Sequence, residues 1–203
     1  MKLPLISQKE IGAKPIDWHG LTRRFMNPGE LEALIALVRG VNPKGVLEIG
    51  VNGGRTAKAI LDHVDGIECY QGIDVLPGYV PEKMVQRKEV PDNPGSVASH
   101  DKRFELILKK NGSLDLKPED LKPCDAVFID GDHGRKAVLN DTALAKALVR
   151  PGGIIIWHDY HGLTDRQGKC VVDVRDVLDE MHSKGEPILH VADTWLAFLR
   201  VPA

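Results

Sequence analysis

Between residues 44 and 74 the chain places an apolar run, "KGVLEIG", then an amphipathic run, "GRTAKAILDHV", then a second apolar run, "IECYQGID". A strand buried on both faces is apolar nearly throughout, and a helix between two such strands carries the chain back to a parallel neighbour. That order restricts the chain to a parallel sheet with crossover helices. The rhythm persists: "FELILKKNG" predicts a third strand, "CDAVFIDG" a fourth, "KAVLNDTALAKALV" a helix, "GGIIIWHD" a fifth strand after the turn "RPGG", and "VVDVRDVLDEMHSKG" a further helix. Upstream, Asn27, Pro28 and Glu30 have the form of an N-cap, a first-turn proline and a capping-box acid for "GELEALIALVRG", which Gly40 closes. At the far end "PILHVA" and "WLAFLRV" flank Asp193 and Thr194 as the two arms of a hairpin at one sheet edge. Residues 75–103, with four prolines and mixed charge, predict loop with at most a short helix.

The expected fold is α/β: a doubly wound, Rossmann-like, mostly parallel seven-stranded sheet with a C-terminal antiparallel hairpin and helices on both faces. A length of 203 residues suits one core, so the expected division is an N-terminal appendage or lid over 1–26 and one domain over 27–203. A formal net charge of -2 supplies no basic field for nucleic acid or an anionic membrane surface, and neither is expected as a partner. No apolar run approaches the roughly 20 residues that span a bilayer, and "MKLPLISQKEIG" lacks the apolar centre of a signal peptide. Cys69, Cys124 and Cys170 are widely spaced, with no CxxC or Cys/His zinc spacing, and read as reduced packing residues. The expectation is a cytoplasmic protein.

Two stretches carry the chemistry. In "VLEIGVNGGRTAKAIL" a strand ends at Glu48, glycines follow at 50, 53 and 54, and a helix begins near Arg55. Glycines at such a turn let the backbone approach a ligand and present helix N-terminal amides to it. The order fits neither GxGxxG nor a P-loop, which ends in GK[ST]. Asp74, 26 residues beyond Glu48, ends the next strand, where a carboxylate can accept from ribose hydroxyls. The second stretch is "FIDGDHGRK". There Asp130 ends the strand that neighbours the first in a doubly wound sheet, so the polar residues after it open onto the same crevice.

Through "EIGVNGG", "GID" and "FIDGDH" the chain resembles the class I S-adenosylmethionine-dependent methyltransferases, from about Asn27 to the C-terminus. The stretch "CDAVFIDGDHGRKAVLNDTALAKALVRPGGIIIWHDYHG" is most similar to small bacterial methyltransferases related to the catechol and sugar O-methyltransferases. The resemblance implies S-adenosylmethionine as cofactor. Gly50 and Gly54 would border its methionine part, with Asn52 in the same turn, Thr56 capping the helix, Asp74 on the ribose and Ser113 at the adenine. Glu48 matches the family's acidic motif position, and Asp130 is shared between cofactor and catalysis. A side chain at Gly50 would fill cofactor space.

A hydroxyl attacks a sulfonium methyl poorly until its proton is removed, and histidine titrates near neutrality, so His133 is the expected general base. Asp159 lies 29 residues after Asp130 and ends the fifth strand, which makes the two acids a partial shell for magnesium. The metal-dependent relatives carry an asparagine after that second acid or a glutamate before it, whereas "WHDYH" has His158 before and Tyr160 after. Histidine suits zinc, iron or manganese better. The candidate metal set is therefore Asp130, Asp159 and His158, with His161 and Asp132 in reserve, and histidines 19, 63, 100, 182 and 190 read as surface or packing residues.

The leading expectation is O-methylation of a small-molecule hydroxyl, with a homodimer allowed. Two alternatives stay open: a non-catalytic or regulatory cofactor-binding protein, and a hydroxylase-like oxidative enzyme. The acceptor pocket is expected from residues 1–26, 75–103 and 162–170, with Trp18, His19 and Tyr79 in its lining.

Overall fold

In the computed structural model the described residues are 2–18, 26–83, 90–164, 166 and 171–203. Their elements run β1 (Leu5–Ile6), α1 (Glu30–Arg39), β2 (Gly45–Ile49), α2 (Arg55–His63), β3 (Cys69–Val75), β4 (Phe104–Lys109), β5 (Cys124–Ile129), α3 (Arg135–Leu148), β6 (Val149–Trp157), α4 (Val174–Ser183), β7 (Leu189–Val191) and β8 (Ala197–Arg200). Short 3₁₀ turns at Gly112–Asp115 and Pro118–Asp120 lie between β4 and β5.

The strands form one sheet in the order β1-β7-β8-β6-β5-β2-β3-β4, and only β8 runs against its neighbours. All seven strands read from the sequence are present. The eighth, β1, is a two-residue strand that pairs Leu5 with His190 and Ile6 with Val191, so it covers the edge that the β7–β8 hairpin would otherwise present. Two residues are too few for a periodicity signal, which is why the sequence does not announce it. The "RPGG" turn is also part of a strand: β6 starts at Val149, and the register slips between Cys124 and Ala126 to absorb the extra residues.

Alternation along the strands sends residues to two separate cores. Leu47, Ile49, Ile73, Val127, Ile129, Ile155 and Trp157 pack beneath α3 and α4. Val46, Tyr70, Ala126, Phe128, Ile154 and Ile156 pack beneath α1 and α2. Each such side chain contributes about 1.5–3 kcal/mol on burial, and Phe128→Ala would cost roughly 3–5 kcal/mol because the surrounding β-strands cannot collapse onto the void. Leu3 belongs to the first core, while Ile11, Ile16, Trp18 and Met26 lean on the second. Cys69 and Cys124 are free thiols; Cys170 and His19 lie outside the described residues. Among the described residues no helix is long and apolar enough to cross a membrane.

Candidate active site

From β2 the chain proceeds outward to β3 and β4, then returns to β5 on the other side of β2. The sheet therefore reverses its winding between β2 and β5, and the carboxyl ends of these two strands diverge into a crevice. Ile49 pairs with Ile129, so Gly50 and Asp130 leave the sheet side by side. Asp74, the penultimate residue of β3, and Asp159, two residues beyond β6, lie at the same edge.

The glycine turn is held mainly by backbone. Gly50 has φ +90°, and a Cβ there would lie 2.0 Å from the carbonyl oxygen of Asp130. The neighbouring strand end by itself therefore demands glycine here. Gly54, at φ +84°, is the N-cap of α2 and would press a Cβ to 3.1 Å from the backbone of Gly95. Thr56 does not cap the helix: it is the second helical residue, and no side chain caps this terminus. Gly53 has nothing within 4 Å of its Cβ position. Asp74 clasps the turn from β3, its Oδ2 accepting from the Asn52 N–H at 2.6 Å and its Oδ1 from the Val75 N–H at 2.7 Å. Burial pushes the Asp74 carboxyl up, and these backbone bonds only partly offset it.

Beyond β5 and β6 lies a knot of acids and histidines. Asp159, a non-glycine residue at φ 58°, stands at its centre. His133 Nε2 is 2.7 Å from Asp159 Oδ2 and 3.7 Å from Asp130 Oδ1. His158 Nδ1 is 3.3 Å from both acids, and its Nε2 is 3.3 Å from Glu30 Oε2. His161 Nδ1 accepts from the Leu163 N–H, which leaves the proton on Nε2, 3.4 Å from Asp159 Oδ1. Burial opposes ionisation of Asp159, yet the surrounding His158, His133 and His161 hold its carboxyl well below the ordinary range. A left-handed aspartate ringed by three imidazoles is strained backbone kept by its side-chain partners, a pattern that concentrates at functional sites.

The same charges act on the imidazoles. Burial alone would lower the His133 pKa, but Asp130 and Asp159 raise it to about 10. In this arrangement His133 is an imidazolium at neutral pH, not the free base expected from an isolated histidine. His158 is likewise held well above its usual value, burial being outweighed by Asp130 and Asp159. Asp130, His133 and Asp159 each offer one ligand atom, all within 4.8 Å of one another, so the donors that converge for a cation include His133 in place of His158. His158 is drawn to the α1 side, against Phe128 and Glu30.

One cleft joins the two halves, lined by Gly50, Asn52 and Asp74 on one side and Asp130, His133, His158 and Asp159 on the other. A second cleft continues past Gly53 to Arg55 and Thr56. Similarity to known proteins follows the same stretch. A family described as a methyltransferase domain matches residues 47–160, more than half of the chain, from within β2 to one residue beyond Asp159. The chain belongs to this methyltransferase family.

A curated relative, an uncharacterized protein of Acanthamoeba polyphaga mimivirus, is 32% identical over 115 residues, which are 56% of this chain and 50% of that one. The chain thus spans about half the length of the curated relative it matches. Among solved structures, the SAH-bound Podospora anserina methyltransferase PaMTH1 aligns with a TM-score of 0.63 at 15% identity, over 97% of this chain and 86% of that one. An O-methyltransferase from Bacillus cereus in complex with SAH gives 0.57 at 18% identity, over 90% and 85%. The O-methyltransferase TomG from Streptomyces achromogenes, in complex with SAM, gives 0.57 at 16% identity, over 87% and 81%. These likenesses establish the fold.

Within the methyltransferase domain, Glu48 and Ser113 line neither cleft. Glu48 is buried beneath α1 and α2, accepts from the Tyr70 hydroxyl at 2.9 Å, and has its carboxyl pushed well up by burial. Ser113 sits in the 3₁₀ turn after β4 and donates to Asp141 on α3. Asp132 works as a clasp: its carboxylate accepts from the Tyr79 hydroxyl and from the backbone of Glu82, Lys83 and Gly134, which places Tyr79 in the cleft wall. Glu30, read from the sequence only as a helix-start acid, and Trp195 also belong to the site. Glu30 still bonds Asn27 in capping-box fashion, although the N-cap is Gly29, and it also accepts from the Trp195 N–H at 2.5 Å. Trp195 lines the cleft and packs 4.1 Å from His161 with the two rings tilted by 49°, and an aromatic in a hairpin turn was the one available signal for it.

Proposed function

We propose that this methyltransferase uses S-adenosylmethionine (SAM) to methylate a hydroxyl of a small molecule, with the Asp130–His133–Asp159 group acting on that hydroxyl. The observation that carries the reading is the shared cleft, where the glycine turn and Asp74 face the acid–histidine knot. The neighbours from Podospora anserina, Bacillus cereus and Streptomyces achromogenes hold SAM or SAH, which supports the cofactor. The residues present fit it: the Asp74 carboxylate accepts from backbone N–H groups of the turn and keeps acceptor capacity for a ribose hydroxyl, and Gly53 leaves open space beside the turn.

When bound, SAM would supply the methyl group, which would pass to the acceptor oxygen as the carbon–sulfur bond breaks and the sulfur keeps the electron pair. Asp130, which lines both clefts, would complement a bound sulfonium, and the cleft would supply alignment. The hydroxyl proton would pass to the His133 imidazole once that imidazole has released its own proton to solvent, so turnover rises with pH toward the raised His133 value of about 10. Two oxygen donors and one nitrogen donor also fit a divalent cation, held by Asp130, His133 and Asp159, which would lower the pKa of a hydroxyl beside it. That set is one histidine with two carboxylates, unlike the two-histidine, one-carboxylate set of non-haem iron oxygenases, and it favours transfer over hydroxylation. The free thiols Cys69 and Cys124 accord with a cytoplasmic location.

The test is calorimetric titration with SAM and SAH, followed by incubation of methyl-labelled SAM with a panel of phenols and sugars. Binding with label on an acceptor oxygen is expected. Absence of binding would overturn the cofactor, and binding without transfer to any acceptor would indicate a non-catalytic protein on this fold.

A further inference from the structure

The parallel pair β3–β4 needs a crossover, and the described parts of the chain that makes it, 76–83 and 90–103, contain no helix. Instead the segment is spread over the cleft. Its second part rests on the glycine turn, where the Gly95 N–H donates to the Asn52 carbonyl at 2.7 Å and the Val97 N–H to that of Gly53 at 2.9 Å. Its first part reaches across to the loop between β5 and α3 and puts Tyr79 and Pro81 in the wall of the first cleft. Asp132 fastens this part to the loop, but Asp132 belongs to the same loop as His133, so its bonds do not fix that loop against the rest of the domain. Asp173 does. It immediately precedes α4, whose Val174, Val177 and Leu178 are anchored in the first core. The Asp173 N–H donates to the His133 carbonyl at 2.9 Å, its Oδ2 accepts from the Arg135 N–H at 3.0 Å, and its Oδ1 pairs with Lys83 Nζ. Lys83 closes the circuit, because its own carbonyl accepts from the His133 N–H.

We infer that the Lys83–Asp173 ion pair is a positioning pair for His133: it fixes where that imidazole stands and ties its placement to the crossover above the cleft. This rests on the reading of His133 as the residue that takes the acceptor proton. Both polar groups of the His133 peptide are held, and by the two members of one ion pair. The 2.9 Å bond from Asp173 is short enough to stand alone, whereas the bond from the His133 N–H to Lys83 is long at 3.4 Å, as is that from the Lys83 N–H to Asp132 at 3.3 Å. The charge on Lys83 is therefore what keeps its carbonyl within reach. The pair is also sheltered enough to keep one geometry, with side chains 18% and 21% exposed against 69% and 40% for the surface pair Lys184–Glu180. Lys83→Met frees one side of the His133 peptide. A displacement of that ring by about 1 Å is enough to cost on the order of 10²-fold in transfer, while the glycine turn is left as it is.

The experiment records long-range ¹H–¹⁵N spectra of histidine-labelled protein in the SAH complex, with the His133 imidazole assigned by its loss in His133→Ala. In Lys83→Met the His133 signals should shift or broaden while those of His63, on α2, stay in place, and Lys83→Arg should restore them because the charge is kept. Calorimetric SAH affinity should stay within about twofold of wild type, whereas kcat with methyl-labelled SAM and an acceptor from the panel of phenols and sugars should fall by roughly 10- to 100-fold. In a His133→Ala background the same substitution should change kcat by less than about twofold, since its effect passes through that ring. His133 signals unmoved in Lys83→Met, or a loss of kcat equally large in the His133→Ala background, would overturn the inference while leaving His133 as the base. Wild type that binds no SAH, or full turnover in His133→Ala, would overturn the functional reading and the inference with it.

Discussion

The two sides of the cleft are built differently. On the glycine side, Gly50, Gly54, Asn52 and Asp74 come from one β2–α2–β3 unit, and what fixes them is backbone: positive φ values, a carbonyl 2.0 Å from an absent Cβ, and backbone N–H groups held by one carboxylate. On the acid–histidine side, Glu30, Asp130, His133, His158, Asp159, His161 and Trp195 come from four separate regions of the chain, and what fixes them is side-chain charge. A backbone-defined site tolerates little steric change and resists changes of charge. A charge-defined site does the opposite, since any one member can be replaced at the expense of the protonation states of the others.

Substitution at Gly50 should break the first side most severely. Gly50→Ala puts a methyl onto the Asp130 carbonyl in a left-handed conformation, and a loss above ~4 kcal/mol by chemical denaturation is expected. Gly53→Ala, with open space around it, should stay within about 1 kcal/mol of wild type. Equal stability of the two variants would show that Gly50 is not clamped by β5.

On the other side, His133→Ala should fold and keep cofactor affinity near wild type, yet lower turnover by ~10² to 10⁴-fold on an identified acceptor. The wild-type rate should climb through the alkaline range, because the base form appears only as pH approaches the His133 value of about 10. A profile already flat at pH 7 would contradict a free-base role for His133 in the metal-free site. EDTA sharpens this: if a cation holds the three donors, chelation abolishes activity and manganese restores it, and full activity in excess EDTA would remove the metal.

Asp74 belongs to both sides of the comparison. Asp74→Ala removes the ribose partner and orphans the Asn52 N–H, so cofactor binding should weaken by about 1.5–3 kcal/mol, with a drop in stability of similar size. A loss of affinity without any loss of stability would mean the clasp is not structural.

The smallest effect concerns Asp141, behind Ser113, whose carboxyl is pushed up to about 6, mainly by burial. The folded form holds its proton more tightly than the unfolded chain, so stability from this group is present below about pH 4 and is lost as pH rises through 6. Asp141→Asn should therefore stabilise by about 1–3 kcal/mol at pH 7–8 and by little at pH 4, read from denaturation midpoints. A pH-independent difference would locate the effect in packing.

The difference between the sides also accounts for what the sequence discloses. The β2–α2–β3 unit is contiguous, so strand alternation, the glycines and the strand-end Asp74 can all be read in one window, and the parallel sheet follows from repeating that window. Asp130, His133 and Asp159 were legible because each follows a long apolar strand. Their electrostatics were not: a lone histidine titrates near neutrality, and only the fold sets two acids against His133. Glu30 and Trp195 lie outside the matched residues 47–160 and reach the site through the α1 start and the hairpin turn. Glu30 has the spacing of a capping-box acid and bonds Asn27 as one would, although the N-cap is Gly29; nothing in that spacing reveals that it also holds His158.

The central claim is that the cofactor's methyl group faces the acid–histidine knot across a shared cleft. Binding [methyl-¹³C]SAM to wild type and to His133→Ala, and recording nuclear Overhauser effects from the labelled methyl, tests this without an identified acceptor. The account expects a cross-peak from the methyl to an imidazole proton that disappears in His133→Ala while the ribose signals stay in place. A bound cofactor whose methyl shows contacts elsewhere and no His133-dependent cross-peak would contradict it.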